Sequence, residues 1–418
     1  MTQRYDTYKD SGVQWLGEIP GHWEMSKISS HFRQRNEKVS DKDYPALSVS
    51  KQGVTPQLDN VALSNAEGTS RKLVKVGDYA VNSRSDRKGS CGVSKYEGSV
   101  SLITIVLEPF NINGEYVHYL FRSNPWVEEF YRNGRGIVAD LWTTNYQMMK
   151  SMYMPVPPLS EQRSIVSFLD AKCGKIDEWV TKKQKEVEHL QELKQRVIAD
   201  AVTQGLNPHV KMKTTNIPWL KEIPEYWEIK PIRAILRENT DKTETGDEEL
   251  LSLSQYTGIS RKKDAAKIGM FEAESTVGYK KVHPGQFVMN IMLAWNGSYA
   301  VSEFEGIISP AYCVFDFISK DEKMYYNYLW RLSMYQGAFK TESRGIIDSR
   351  LRLYPSKFLP FPTICPPIEE QKQIVSYLDA KTSKIDKLIA NITKEIECIK
   401  EYKQRLISDV VTGQIKVC

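Results

Sequence analysis

The sequence predicts two mixed α/β (α+β) domains in tandem repeat, separated and joined by two long helices that form an intramolecular antiparallel coiled coil. Three observations lead there. The 418 residues are too many for one compact core, at roughly 150 residues per domain. The second half repeats blocks of the first in the same order. Each half also closes on a long apolar stripe whose period is helical.

The repeat is read block by block. Trp15-Leu16-Gly17-Glu18-Ile19-Pro20 with Trp23-Glu24 returns 204 residues later as Trp219-Leu220-Lys221-Glu222-Ile223-Pro224 with Trp227-Glu228. Gly77-Asp78-Tyr79-Ala80-Val81-Asn82 matches Gly285-Gln286-Phe287-Val288-Met289-Asn290 at 208, and Arg135-Gly136-Ile137 matches Arg344-Gly345-Ile346 at 209. The tails match best: residues 157–203 align without a gap to 366–412, with 25 of 47 positions identical. The predicted organisation is a first domain at 1–156, a helical region at 157–205, a second domain at 206–365 and a second helical region at 366–418. Matched ends around dissimilar middles suggest one architecture serving two separate tasks.

Inside the first domain, 73–76, 79–82 and 101–107 have strand composition, and 115–122 reads as a helix. Its counterpart at 324–332 is also helical, whereas the polar, acidic stretch 240–249 reads as a loop. Strand order does not follow from the pattern.

The tails carry the apolar stripe. In the second, Val375, Leu378, Thr382, Ile385, Ile389, Ile392, Ile396, Ile399, Lys403, Leu406 and Val410 follow alternating steps of three and four. Val166, Leu169, Cys173, Ile176, Val180, Lys183, Val187, Leu190, Lys194, Val197 and Ala201 keep the same register in the first. So narrow a seam, sustained over five heptads, is the pattern of a coiled coil. Pro157-Pro158 and Pro366-Pro367 precede the two stretches, and Gly205 and Gly413 stand near their ends. A rod of about 40 residues spans roughly 60 Å and has to bury its seam. The nearest partner is the other copy; packing of each seam on its own domain is the competing arrangement.

Composition excludes several classes. With 41% hydrophobic and 11% aromatic residues, the chain has the means to build real cores. It contains no uncharged apolar run of 18 residues, and residues 1–30 lack the apolar stretch of a signal peptide. A cytoplasmic protein with no membrane contact is expected. The six cysteines include no C-x-x-C pair, which argues against a zinc knuckle and a disulfide framework. Fifty-seven basic against fifty-two acidic residues leave +5, compatible with nucleic acid without requiring it.

Catalytic signatures are missing. There is no phosphate loop, and Gly134-Arg135-Gly136 lacks the later glycine of a dinucleotide fingerprint. Adenine methyltransferases need Asn, Asp or Ser before paired prolines, but Val156 and Cys365 stand there. Glu192-Leu193-Lys194 and Glu401-Tyr402-Lys403 look like half a nuclease motif, yet both fall on the helical tails as surface charges with a seam lysine. His22, His31, His118, His189, His209 and His283 show no metal-ligand spacing. No catalytic residue and no metal site is expected.

The arrangement resembles the DNA-specificity subunit of type I restriction–modification systems, over nearly the full length. The residues that carry the resemblance are Glu18-Ile19-Pro20 with Trp23, and Glu222-Ile223-Pro224 with Trp227, at the domain starts. Pro157-Pro158 with Glu161-Gln162, and Pro366-Pro367 with Glu370-Gln371, mark the helix starts. The resemblance implies a non-catalytic subunit that binds a bipartite, asymmetric sequence in double-stranded DNA. It further implies partners: two methyltransferase subunits using S-adenosylmethionine, and two restriction/translocase subunits using ATP and Mg. No cofactor is expected in this chain itself. A coiled-coil scaffold that binds only proteins, and an enzyme with an unrecognised site, are the competing readings.

Residue chemistry then selects candidate DNA contacts, since groove readout needs donors and acceptors on loops while phosphate contacts need charge. In the first domain these are Arg84, Ser85, Arg87 and Lys88 after a strand, with Arg135, Thr143 and Asn145 in a second polar stretch around Trp142. By position in the repeat the second domain offers Asn290, Trp295, Asn296 and Ser298. Its second stretch offers Arg344, Ser349, Arg350 and Arg352, and Arg261 and Lys262 are expected on phosphate. Trp23 and Trp227, matched in both halves, are expected to pack rather than to read different sequences.

Overall fold

The computed structural model describes residues 4–57, 70–136, 142–255, 257–262, 275–345 and 351–417. The chain forms two compact units, one made of Met1–Gln184 with Thr393–Cys418, the other of Lys185–Ile392. These cut across the linear partition expected from the repeat, because each unit takes part of both long helices.

In the first unit the central sheet runs Cys91–Val93, Tyr79–Asn82, Thr104–Pro109, Phe32–Gln34, with each pair antiparallel. Antiparallel pairing places the domain on the α+β side of the expected class. Alternation decides what each strand face buries. Tyr79, Val81, Ile105 and Leu107 point into a core with Trp23, Phe32, Phe121 and Trp126. The residues between them, Ala80 and Val106, face a second, smaller core with Leu47, Val54, Val74 and Val100. Phe121 and Trp126 stack with ring centroids 4.3 Å apart. The helices Gly114–Phe121 and Asn124–Arg132 cover the larger core.

The second unit repeats the plan. Its sheet runs Leu236–Asn239, Tyr312–Phe317, Phe287–Asn290, Tyr299–Val301, again antiparallel. Phe287, Met289 and Phe315 face a core with Trp227, Trp330 and Phe358, while Val288 and Val314 face a smaller one with Leu251, Val282 and Ile308. The helices Lys323–Trp330 and Ser333–Glu342 stand in for the first unit's pair.

The tails are helices of 46 and 44 residues, Leu159–Gln204 and Ile368–Val411. Every predicted seam position is buried or half-buried, while the residues between are mostly exposed. In the first unit Lys403 Nζ lies 2.7 Å from Asp177 Oδ1; in the second Lys194 Nζ lies 2.7 Å from Asp386 Oδ1. An early residue of one helix meets a late residue of the other in each case, so the helices run antiparallel. The competing arrangement is present as well, at the helix ends. Ile165 and Leu169 share the first unit's core with Leu406 and Val410, and Val202 shares the second unit's core with Ile374 and Leu378.

Each helix stops at a glycine that only glycine suits. Gly205 and Gly413 have φ of +79° and +77°, the left-handed conformation that ends many helices. A Cβ on Gly413 would sit 2.3 Å from Pro20 Cδ, and one on Gly205 would sit 2.8 Å from Glu370 Oε1.

Candidate nucleic-acid interface

In each unit a strand of the central sheet ends in an asparagine that organises a turn. In the first, the Asn82 N–H donates to Ser90 O at 2.8 Å, and Asn82 Oδ1 accepts from Arg84 N at 3.2 Å. A single 3-10 turn, Ser85–Arg87, follows, and Gly89 at φ +74° brings the chain back. Tyr131 donates from its hydroxyl to Asn82 O and Arg87 O, at 3.0 and 3.2 Å, pinning the turn from behind. Burial raises its phenol's pKa, so it stays a donor.

A second segment is zipped alongside. Arg135 and Thr143 exchange two backbone hydrogen bonds of 3.1 Å, and Thr144 N donates to Ser83 O at 3.0 Å. Arg84, Arg135 and Thr143, chosen from separate stretches of sequence, therefore lie side by side on paired backbone. All three are exposed. Arg84 Nε is 3.0 Å from Asp86 Oδ1, and Arg87 Nε is 3.5 Å from Asp86 Oδ2. Lys88 Nζ reaches Glu128 Oε2 at 2.9 Å. Exposed pairs of this kind are worth at most about 1 kcal/mol, so a phosphate or a base edge can displace them. Ser85 shares the turn. Asn145 has a structural task, capping the short helix Tyr146–Met149 by accepting from Met148 N at 3.1 Å.

The second unit builds the same frame with other side chains. Asn290 N donates to Ser298 O at 2.9 Å, Asn290 Oδ1 accepts from Met292 N at 3.0 Å, and Gly297 turns at φ +82°. Arg344 and Arg352 exchange backbone bonds of 3.0 Å, and Leu353 N donates to Ile291 O at 2.8 Å. Two sequence candidates are relocated by this geometry. Asn290 and Ser298 are buried, at 4% and 2% exposure, and shape the turn instead of facing outwards. Trp295 is half-buried, donating to Met292 O at 3.1 Å with Lys340 4.9 Å above its ring. Asn296, Arg344 and Arg352 are exposed.

Arg261 and Lys262 stand on a separate hairpin, Leu251–Ser254 with Gly258–Arg261. Arg261 pairs with Glu249 at 3.0 Å and lies over Phe304; Lys262 is tied to Leu250 O at 2.8 Å. Ser349 and Arg350 lie outside the described residues.

Sequence reasoning missed two features. Met292 and Leu293 occupy the tip of the second turn, 38% and 40% exposed. The repeat offset of 208 sets Met292 opposite Arg84, a signal that a search for polar donors passes over. Arg122 and Arg331, also one repeat apart, donate to the backbone carbonyls of Lys51 and Gln255. They hold the turns of neighbouring hairpins, which only the folded chain reveals.

The matched tail motifs prove architectural. Gln162 accepts from Asn113 N and donates to Pro157 O, both at 2.8 Å. Gln371 accepts from Glu322 N at 2.8 Å and donates to Pro366 O at 2.9 Å. Tyr119 and Tyr328 donate to Asp170 and Asp379 at 2.6 and 2.7 Å. Trp23 and Trp227 are fully buried, as expected. Glu370 accepts from Trp227 Nε1 at 3.0 Å, whereas Glu161 is taken by Tyr5 and His22. Among the described residues no helix is long and apolar enough to cross a membrane.

Comparison with known proteins agrees with this frame. Residues 227–398 match the family model described as the Type I restriction modification DNA specificity domain. The chain is 25% identical to the type I restriction enzyme MjaVIII specificity subunit of Methanocaldococcus jannaschii, over 96% of this chain and 94% of that protein. It is 20% identical to the type I restriction enzyme EcoDI specificity subunit of Escherichia coli, over 96% and 90%. Its fold resembles a chain solved in work on complex assembly and conformational transition of the type I R-M system, with TM-score 0.64 and 14% identity, covering 94% of this chain and 98% of that one.

Proposed function

We infer that this chain, which belongs to the family of type I restriction–modification specificity subunits, reads a bipartite, asymmetric DNA sequence with one half-site per unit. One observation carries the reading. Both units present the same backbone-tied frame, the turn Asn82–Ser90 beside paired Arg135 and Thr143 and the turn Asn290–Ser298 beside paired Arg344 and Arg352, but fill it with different side chains. A shared frame with exchanged contents is what two readers of unlike half-sites require.

Arg84, Arg87 and Arg135 suit guanine edges or phosphates; Arg344 and Arg352 suit phosphates beside the second turn. Methyl transfer from S-adenosylmethionine, and ATP- and Mg-dependent translocation, then fall to two methyltransferase and two restriction/translocase subunits that this chain directs. The long helices, each continuous from one unit into the other, supply the spacer that sets the gap between half-sites.

The test is selection from a random duplex library by the full chain co-expressed with its methyltransferase partner. Two short fixed blocks separated by a constant gap are expected. Enrichment of a single block, or of none, overturns the reading.

A further inference from the structure

We propose that the second unit recognises thymine by its C5-methyl group, through an apolar tip formed by Met292 and Leu293. This rests on the reading of both units as half-site readers.

The two turns share their ends, while the 3-10 turn between them falls at Ser85–Arg87 in one and Ala294–Asn296 in the other, so the segments are compared by their place in the repeat. Asn82 and Asn290 each cap the turn, Gly89 and Gly297 each reverse it, and Ser90 and Ser298 each close it. Where the first turn carries Arg84 and Ser85, the second carries Met292 and Leu293. Met292 and Leu293 are exposed by 38% and 40%, an adjacent apolar pair at the tip where the first unit carries a cation and a hydroxyl.

The tip is held firmly. Met292 N donates to Asn290 Oδ1, and Leu293 N to Asn290 O at 3.1 Å. The Leu293 carbonyl accepts from Asn296 N at 2.9 Å, and Met292 O accepts from the Trp295 indole at 3.1 Å. A Cβ on Gly297 would lie 2.6 Å from Gln336 Nε2, so the turn is packed from beneath. An apolar tip fixed by so many bonds is presented to something.

The flanks and the chemistry name the partner. Exposed Arg344 and Arg352 lie on the segment joined to Ile291 through Leu353, which places cations beside the apolar tip. Cations on the rim with an apolar centre fit a groove of duplex DNA, with phosphates outside and base edges within. In the major groove thymine alone offers a methyl, while guanine and cytosine edges offer only polar atoms. The remaining exposed amide of the turn, Asn296, matches the donor–acceptor edge of adenine, which is thymine's pairing partner. The buried Asn290 and Ser298 cannot supply a polar alternative.

The test uses the full chain and the duplex selected as above, with each thymine replaced in turn by deoxyuridine, which lacks only the methyl. At one or more positions of one half-site, binding is expected to weaken about fourfold for each recognised methyl that is removed. In Met292→Ala and Leu293→Ala chains that thymine–uracil difference disappears; in the Arg84→Ala chain it persists. Three results overturn the inference alone: uracil tolerated at every position, no thymine in either half-site, or a difference that survives both alanine variants. If no bipartite preference emerges from the library, the half-site reading fails and this inference fails with it.

Discussion

Arg84 and His118 show how far a single position in the first unit can be argued. Arg84 is exposed, its Nε 3.0 Å from Asp86 Oδ1, on a turn whose backbone is fixed by Asn82 and Tyr131. On the proposed reading a guanidinium carried by so fixed a backbone meets a guanine edge or a phosphate, and Arg84→Ala is expected to cost about 1–3 kcal/mol of binding to the cognate duplex. Titration at constant salt checks it, and unchanged affinity removes Arg84 from the interface. His118 is the opposite case. Burial, then the nearby Arg122 and Lys95, pushes its imidazole down to about 4, against a smaller pull from Asp170. Its Nδ1 has no hydrogen-bond partner among the described residues, consistent with a neutral ring. The unfolded chain binds this proton near pH 6.5 and the folded chain does not, so stability is complete above that pH. It falls as pH drops towards 4, by about 2 kcal/mol between pH 7.5 and 5. Urea unfolding at both values checks it, and a His118→Gln chain should lose that part of the slope.

Among the elements, the long helices invite a comparison of magnitudes. Their seam buries Leu169, Val180, Leu378, Ile385, Ile392, Ile396 and Leu406, whereas the two cross-helix ion pairs involve Asp177 and Asp386, each more than half exposed. Removing apolar bulk from a closed seam leaves a cavity; removing an exposed carboxylate leaves water. Ile385→Ala, at a buried seam position outside the domain cores, is therefore expected to cost about 2–5 kcal/mol, and Asp177→Asn less than about 1 kcal/mol, compared by denaturant midpoint. A loss from Asp177→Asn as large as that from the seam truncation would mean that charge contributes as much as packing. The same elements explain the glutamines of the matched tails. Gln162 and Gln371 each tie a helix start to a domain's own backbone, so identity between the halves reflects a shared joint.

For the whole molecule, the consequence of two continuous helices is a length. Inserting one heptad in each adds roughly 10 Å of helix, about three base-pair steps at 3.4 Å. The gap in the selected sequence is expected to grow by about that number while both half-sites stay the same; an unchanged gap would show that the helices do not set it. The insertion belongs in the middle of both seams, away from the capping glycines Gly205 and Gly413, whose left-handed φ favours glycine.

Much of this protein was legible in its residues alone. The repeat, the two helices with their approximate limits and the apolar seam follow from periodicity and self-similarity, which are properties of order along the chain. The direction of pairing was expected but has no periodic signature, and is carried by the cross-helix contacts. The tertiary structure decided the rest. Only folding brought 393–418 into the unit begun by the first residues, because pairing between distant segments leaves no local trace in composition. Only folding separated buried Asn290 and Ser298 from exposed Asn296 and Met292 within one turn. Whether a polar side chain faces a base or caps a backbone depends on where its N–H and C=O neighbours fall, and three-dimensional packing fixes that.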